Sequence, residues 1–422
     1  MKKQIKILIL GENFFPLSTA SAQRLFAFSK ILASHSYQTI VITKSQVSFK
    51  SKKMTVIGLN HKIEVPILNP MLLFFYLIRS MLILSRHRID LIISTVPKIN
   101  NTIAGFLLSE LFGIPHLIDV RDYWEGLLLT YPGNKFIPNR LAFLLVKMTS
   151  FIYRRASSLV TVNETLIRML RERGVPYDRI FQIPNGIDTS LFRPCTNETC
   201  VKQLRKKYML PPSKTIFLYA GSLGPHHKFD LVLKAVNRLS GNNNFMFLIV
   251  GRPLLLMSDK KILQTIEKLK LKKNVKMMGP LPVDKMAELL RCCNVGVIAL
   301  DDDEIWRCMT TVKLLSYLAS GLPVLASGPK DGELENLINQ HKVGFFVRET
   351  TPERFVEGIK FFLQEKSRTK SMGLKGRRIM EEFYDRYALS RKIMDVIHHI
   401  VNSPRSDIYS GDPKRKDGNS FS

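Results

Sequence analysis

The chain has 422 residues, 45% hydrophobic and 23% charged, which is beyond the usual size of a single core and predicts two domains, each able to bury a core of its own. Lysine and arginine number 63 against 35 aspartates and glutamates, a formal net charge of +28, so an anionic partner is implied: nucleic acid, a phospholipid surface or a phosphorylated substrate. Nucleic acid is set aside because no zinc-finger spacing, basic heptad helix or aromatic RNP-like strand occurs, and five cysteines without repeating spacing point to a reducing compartment and no disulfide framework.

The N-terminal MKKQIKILILGENFFP imitates a signal peptide, but its apolar run is short and stops at Glu12 and Asn13. It reads as the first strand of a cytoplasmic protein. A helix through RLFAFSKILAS, a strand TIVIT and an apolar helix over 70–88 follow. That apolar helix, PMLLFFYLIRSMLILSRHR, is interrupted by Arg79 and Ser80 and closed by Arg86, His87 and Arg88, so it falls short of the ~18 uninterrupted apolar residues of a membrane span. Two readings stay open for it: a buried helix on a sheet, or an interfacial helix with its arginines on lipid phosphates. Next come DLIIST, a helix ending in FLLSELFG, HLIDV, a long helix over 139–155, SLVTV and a helix to Arg173. This is the βαβ rhythm of a parallel sheet covered on both faces, in which ligands meet the carboxyl ends of strands.

FQIPNGIDTSLFRP reads as loop and linker, with Asn185 and Gly186 predicted to form a hinge turn at positive φ. From Thr215 the rhythm restarts through IFLYAGSLG, FMFLIVG, NVKMMGPL, VGVIAL, PVLAS and GFFV, with Cys292 and Cys293 as core thiols. In TTVKLLSYLASGLPVLAS, residues 310–327, Leu314, Leu315, Tyr317 and Leu318 form a helical stripe, Gly321 is a left-handed C-cap and Pro323 opens a strand. The start of that helix, with Lys313 in its first turn, suits an anion. Residues 403–422 are polar and rich in Gly and Pro, as in a disordered tail.

Taken together, ENFFP followed by Arg24, IDVRDYWEG, LVTVNETLIRMLRERGVPYDRIFQIPNGIDTSLFRP, YAGSLGPHHKFDLVLKAV and VKLLSYLASGLPVLAS resemble glycosyltransferase family 4, the retaining nucleotide-sugar enzymes of the GT-B fold. Within that family the chain looks most like bacterial surface-polysaccharide transferases of the fucosyl and N-acetylfucosaminyl type. The resemblance implies an α/β protein of two doubly wound, Rossmann-like parallel-sheet domains facing a cleft: an acceptor domain over 1–195, a nucleotide-sugar domain over 212–380, and a helix over 381–402 crossing back to the first.

The same resemblance assigns roles. Arg24, Ser21 and Arg121 fall on the acceptor side, and Asp122 and Lys313 are the catalytic candidates, Asp122 for an acceptor hydroxyl. Lys228, Thr310, Thr311, Ser316 and Gly221 bind the donor, and neither metal nor cofactor is required. Arg121, flanked by Asp119 and Asp122, reads equally as a structural clamp between carboxylates. The chain also departs from the family. Ser18, Thr19, Ala20, Ser21 and Ala22 replace a glycine pair, Ser222 stands for an arginine, and the two family glutamates, eight residues apart, correspond to Cys308 and Ser316. Asp301, Asp302, Asp303 and Glu304 lie upstream as a substitute or as a solvated loop.

The expected activity is transfer of a sugar from a nucleotide-diphosphate sugar to a glycan or polyprenyl-linked acceptor in surface polysaccharide or lipopolysaccharide biosynthesis. The expected location is cytoplasmic, peripheral on the anionic inner membrane surface, with no nucleic acid partner. The alternatives are a catalytically silent GT-B subunit scaffolding a membrane glycan assembly and, less favoured, a nucleotide-sugar epimerase of the same fold.

Overall fold

The computed structural model describes residues 4–402 apart from 15–18, 62–67, 98, 126–138, 222–227, 252–263, 265 and 304–305. The predicted tail at 403–422, together with Ser18, Ser222 and Glu304, lies outside the described residues. The chain forms two compact units. One takes in Ser21–Ile183, the first strand and the chain from Ser390, and the other takes in Pro184–Leu389.

The first unit runs β1 (Lys6–Gly11), α1 (Ala20–Ser34), β2 (Gln38–Thr43), β3 (Phe49–Lys50), β4 (Met54–Gly58), α2 (Pro70–Leu84), β5 (Leu91–Val96), α3 (Ile99–Phe112), β6 (His116–Val120), α4 (Asn139–Arg155), β7 (Ser158–Thr161), α5 (Glu164–Glu172) and β8 (Ile180–Gln182). Its sheet has the order β3-β4-β2-β1-β5-β6-β7-β8, parallel except for the short pairing of β3 with β4. LIISTV in β5 is buried along its whole length, as a strand covered on both faces must be. Register puts Leu8 beside Ile92, and Ser94 beside Ile118, so these side chains share one face of the sheet. On that face Leu72 and Tyr76 of α2 pack with Leu108 of α3, and Leu145 and Ile152 of α4 pack with Ile118. The three helices therefore form one layer.

Asn69 caps α2, its Oδ1 accepting the Leu72 N–H at 3.0 Å, and Pro70 fixes φ in the first turn. The inner stripe of α2 is Leu72, Tyr76, Ser80 and Ile83, all buried. Its other face leaves Met71, Phe74, Phe75, Ile78, Met81 and Leu82 39–57% exposed. The buried-helix reading thus describes one face of α2 and leaves the other largely exposed.

The second unit runs α6 (Glu198–Lys207), β9 (Thr215–Ala220), α7 (Phe229–Arg238), β10 (Phe245–Val250), β11 (Val275–Met278), α8 (Val283–Leu290), β12 (Val295–Ala299), α9 (Val312–Ala319), β13 (Val324–Ser327), α10 (Glu333–His341), β14 (Gly344–Val347), α11 (Pro352–Gln364) and α12 (Lys366–Phe383), then the start of α13 (Arg386–Asn402). Its sheet is wholly parallel, in the order β11-β10-β9-β12-β13-β14. From Ser390, α13 belongs to the first unit, where the Tyr37 hydroxyl and His398 Nε2 are 2.9 Å apart.

Three expectations need correction. The stretch left between the two expected domains, 196–211, is not a linker: it contains α6, and Arg205 donates to the carbonyls of Cys292 (3.1 Å), Pro212 (2.7 Å) and Lys214 (3.1 Å), tying it to the second unit, which begins at Pro184. Cys195 and Cys200 form a disulfide across the start of α6, leaving Cys292, Cys293 and Cys308 as free thiols. Gly186 is not at positive φ. A Cβ there would come within 2.6 Å of Arg386 Cα, and Ile187 bridges to Asp385, so the glycine permits a close backbone approach rather than a turn.

Candidate functional site

In the second sheet, β9 lies between β10 and β12, so the strand order reverses there, and the carboxyl ends of β9 and β12 frame the crevice where open parallel sheets take ligands. Three expected site residues, the donor-side Gly221 and Lys228 and the catalytic candidate Lys313, gather at this point. Gly221 follows β9, Lys228 stands at the N-cap of α7 with its N–H on Ala299 O at 3.0 Å, and Lys313 sits in the first turn of α9. Gly221 has φ +127°, and a Cβ on it would lie 2.5 Å from Lys313 Cε. The missing side chain is what lets the lysine lie across the strand end. Lys313 Nζ donates to the Tyr219 hydroxyl at 3.1 Å and stands 4.4 Å from the centre of its ring, a cation–π arrangement.

Lys228 and the remaining donor-side candidates are engaged differently. Lys228 Nζ is paired with Asp301 Oδ2 at 2.8 Å, and this charge-assisted hydrogen bond raises its pKa. Asp301 is therefore the counter-ion of Lys228. Thr311 caps α9, its Oγ1 accepting the Leu314 N–H at 3.3 Å, so its hydroxyl is committed to the helix; Thr310 precedes it, half-buried. Ser316 turns its hydroxyl back onto Lys313 O at 2.9 Å. The position that resembles the family carboxylate is spent on the helix backbone.

On the first unit, Arg24 is not open to an acceptor. It is buried, its Nε and Nη2 donating to Asp119 at 3.0–3.2 Å and Nη2 also to Ile183 O at 2.9 Å, with its guanidinium over the Phe28 ring. Arg121 is buried as well, donating to Val96 O at 2.8 Å and standing 3.5 Å from Asp119. The clamp is thus one carboxylate, Asp119, between two guanidiniums, the reverse of the arrangement expected from RDYW. Asp122 stays half-buried beyond the end of β6, with burial raising its pKa against the opposing pull of Arg121. Ser21 accepts from Asn13 Nδ2 at 3.3 Å.

Sequence reasoning passed over several residues here. Tyr219 reads as an ordinary strand aromatic, and nothing in the sequence marks it as the platform for Lys313. The Tyr317 hydroxyl accepts the Ala220 N–H at 2.9 Å, holding the end of β9 against α9. Glu125, in IDVRDYWEG, accepts from the Tyr153 hydroxyl (2.9 Å) and Arg173 (3.1 Å) and anchors the segment after Asp122.

Burial holds the Lys313 ammonium down at about 7. A diphosphate beside it favours the charged form. Donor affinity is therefore expected to be highest below about pH 7 and to fall as pH rises past that value, with proton uptake on binding. Titration calorimetry of a nucleotide sugar in two buffers of different ionisation enthalpy measures that uptake. The stability of the ligand-free protein should move the other way. An unfolded lysine titrates near ~10.4, so between about pH 7 and that value the unfolded chain holds more protons and stability rises with pH. Lys313→Met should flatten both trends.

Residues 201–379 match the family model described as glycosyl transferases group 1, and residues 66–186 match that of the glycosyl transferase 4-like domain. The chain is 25% identical over 168 residues to the putative colanic acid biosynthesis glycosyl transferase WcaI of Escherichia coli (strain K12), a match covering 40% of this chain and 41% of that protein. It is 25% identical over 212 residues to the D-inositol 3-phosphate glycosyltransferase of Acidothermus cellulolyticus, covering 48% of this chain and 45% of that one. The matched stretches span less than half the length of each of these curated relatives. The crystal structure of Anabaena HepE in complex with UDP and glucose superposes with a TM-score of 0.71 at 17% identity, covering 93% of this chain and 99% of that one. That likeness, with the two parallel sheets, establishes the GT-B fold. The two matched stretches thus resemble glycosyltransferase domains, one of the group 1 type and one of the family 4-like type.

Proposed function

We propose that the chain transfers a sugar, with retention, from a nucleotide-diphosphate sugar to a glycan or polyprenyl-linked acceptor in surface polysaccharide biosynthesis. The observation that carries this reading is Lys313, a half-buried ammonium laid across Gly221 at the switch point of the second sheet and in the first turn of α9. A leaving diphosphate there would meet a cation held in a dry setting and the N–H groups of the first turn, where developing charge is stabilised most. Lys228 supplies a second cation once the ligand competes with Asp301. On the first unit Asp122 is the group left to meet an acceptor hydroxyl, since Asp119 is consumed by the two arginines. WcaI, named for colanic acid, and HepE, solved with UDP and glucose, support the donor class and the setting. We assign the reaction to the cytoplasmic surface of a membrane.

A second reading, a silent subunit that scaffolds glycan assembly, is favoured by Ser316 and Cys308 standing where the family carboxylates would be. Thermal-shift measurement against UDP, GDP, ADP and their sugars, followed by donor hydrolysis in the purified protein, separates the two. Binding with hydrolysis supports the enzyme, and binding without hydrolysis supports the scaffold. Ser316→Glu is expected to raise donor affinity by roughly 0.5–1.5 kcal/mol through a new ribose hydrogen bond, with no loss of fold. Unchanged affinity in that variant would mean that this turn of α9 does not face the ribose.

A further inference from the structure

We propose that the outward faces of α2, α3 and α4 form one continuous docking surface for an anionic phospholipid bilayer. The sequence offered only α2 for this role. In the structure all three helices pack on the same face of the first sheet, α2 touches α3, and Phe106 of α3 meets Phe151 of α4 edge to face at 5.8 Å. Their outer sides are apolar and open: Phe74 is 57% exposed on α2, Leu111 66% on α3, and Phe143 and Leu144 55% and 60% on α4. A run of large apolar side chains across three neighbouring helices is far from the scattered single residues normal on a protein surface.

The charge around these side chains selects the partner. Across the three helices the one acidic residue is Glu110, and it is paired with Arg155. Arg79, Arg140 and Lys147 remain exposed on the same helices, and Arg86 and Arg88 follow α2 directly. Cations with apolar side chains between them match lipid phosphates above acyl chains, each cation near such a surface contributing about 1 kcal/mol. A second copy of the chain fits less well. A two-fold interface sets the same patch against itself, and here it would set like charges against like, with Glu110, already paired with Arg155, as the one acid on the three helices. No described helix is long and apolar enough to cross the membrane, so the surface lies on the bilayer instead of spanning it.

The inference rests on the membrane setting proposed above, but its test does not depend on turnover. The full chain is floated with vesicles of phosphatidylglycerol and phosphatidylcholine in equal parts and with phosphatidylcholine alone, at low and high salt. Binding should be roughly tenfold stronger on the anionic vesicles and weaken as salt rises. Leu111→Glu and Leu144→Glu, at exposed positions that leave the core untouched, should each reduce flotation severalfold while the melting temperature is unchanged. Equal binding to both vesicle types, or full flotation by both variants, overturns the proposal. So does a concentration-dependent dimer that the two variants dissolve, which would make the face an interface between copies. Donor hydrolysis by the same variants without vesicles reads the second unit alone, so failure of the docking surface and failure of the transferase reading are distinguishable.

Discussion

Replacing Lys313 by methionine is expected to lower donor turnover by roughly 30- to 1000-fold, about 2–4 kcal/mol of transition-state stabilisation, while the protein stays folded. The size follows from where the ammonium is held. It lies over the Tyr219 ring and against Gly221, burial brings its pKa to about 7, and a bound diphosphate favours its charged form in a setting where water screens it poorly. A diphosphate gains charge as it leaves, and the lysine's interaction with it grows along the reaction coordinate; the effect should therefore fall on kcat more than on KM. Methionine keeps an unbranched stem over Tyr219 and removes only the charge, so its melting temperature at neutral pH should equal or exceed that of the wild type. Lys228→Ala should cost less, because Asp301 already neutralises that cation. Steady-state kinetics on the donor decide the matter. Turnover within about threefold of wild type for Lys313→Met would remove this helix from the reaction.

Asp119→Asn is expected to cost the protein about 3–5 kcal/mol of stability, the largest effect we expect of any single substitution in the first unit. Asp119 is 2% exposed and lies between Arg24 and Arg121, themselves 6% and 8% exposed. Asparagine keeps the shape but removes the carboxylate that both buried guanidiniums share, and burial already lowers the pKa of Arg121. Asp301→Asn is the matched control. Its pair with Lys228 is about a quarter to a third exposed and should contribute under ~1 kcal/mol. Urea unfolding of both variants gives the comparison. If Asp119→Asn lies within about 1 kcal/mol of wild type, the clamp does not hold the end of β6.

The alternation of apolar strands and helices, read along the chain, determined the two parallel sheets, the helix start at α9 and its Gly321 terminus, which is left-handed at φ +77°. These are local or periodic features, and a strand buried on both faces has to be written as an apolar run. The positions of Gly221, Lys228 and Lys313 near strand ends were legible for the same reason: each follows or precedes an element whose boundary the sequence marks. What each side chain does there was not legible. Asp119 lies between two arginines because one is 95 residues away along the chain, Lys228 meets Asp301 across the switch point, and Lys313 lies over Tyr219 because Gly221 leaves room. Gly186 looked like a turn and proved to be a close approach to Arg386. The apolar length of α2 was plain from its residues, but only packing decided which of its faces is covered, and only the shared sheet face joined it to α3 and α4. Sequence fixes what repeats along the backbone; pairing among distant side chains depends on how the sheet brings strand ends together, which no local pattern encodes.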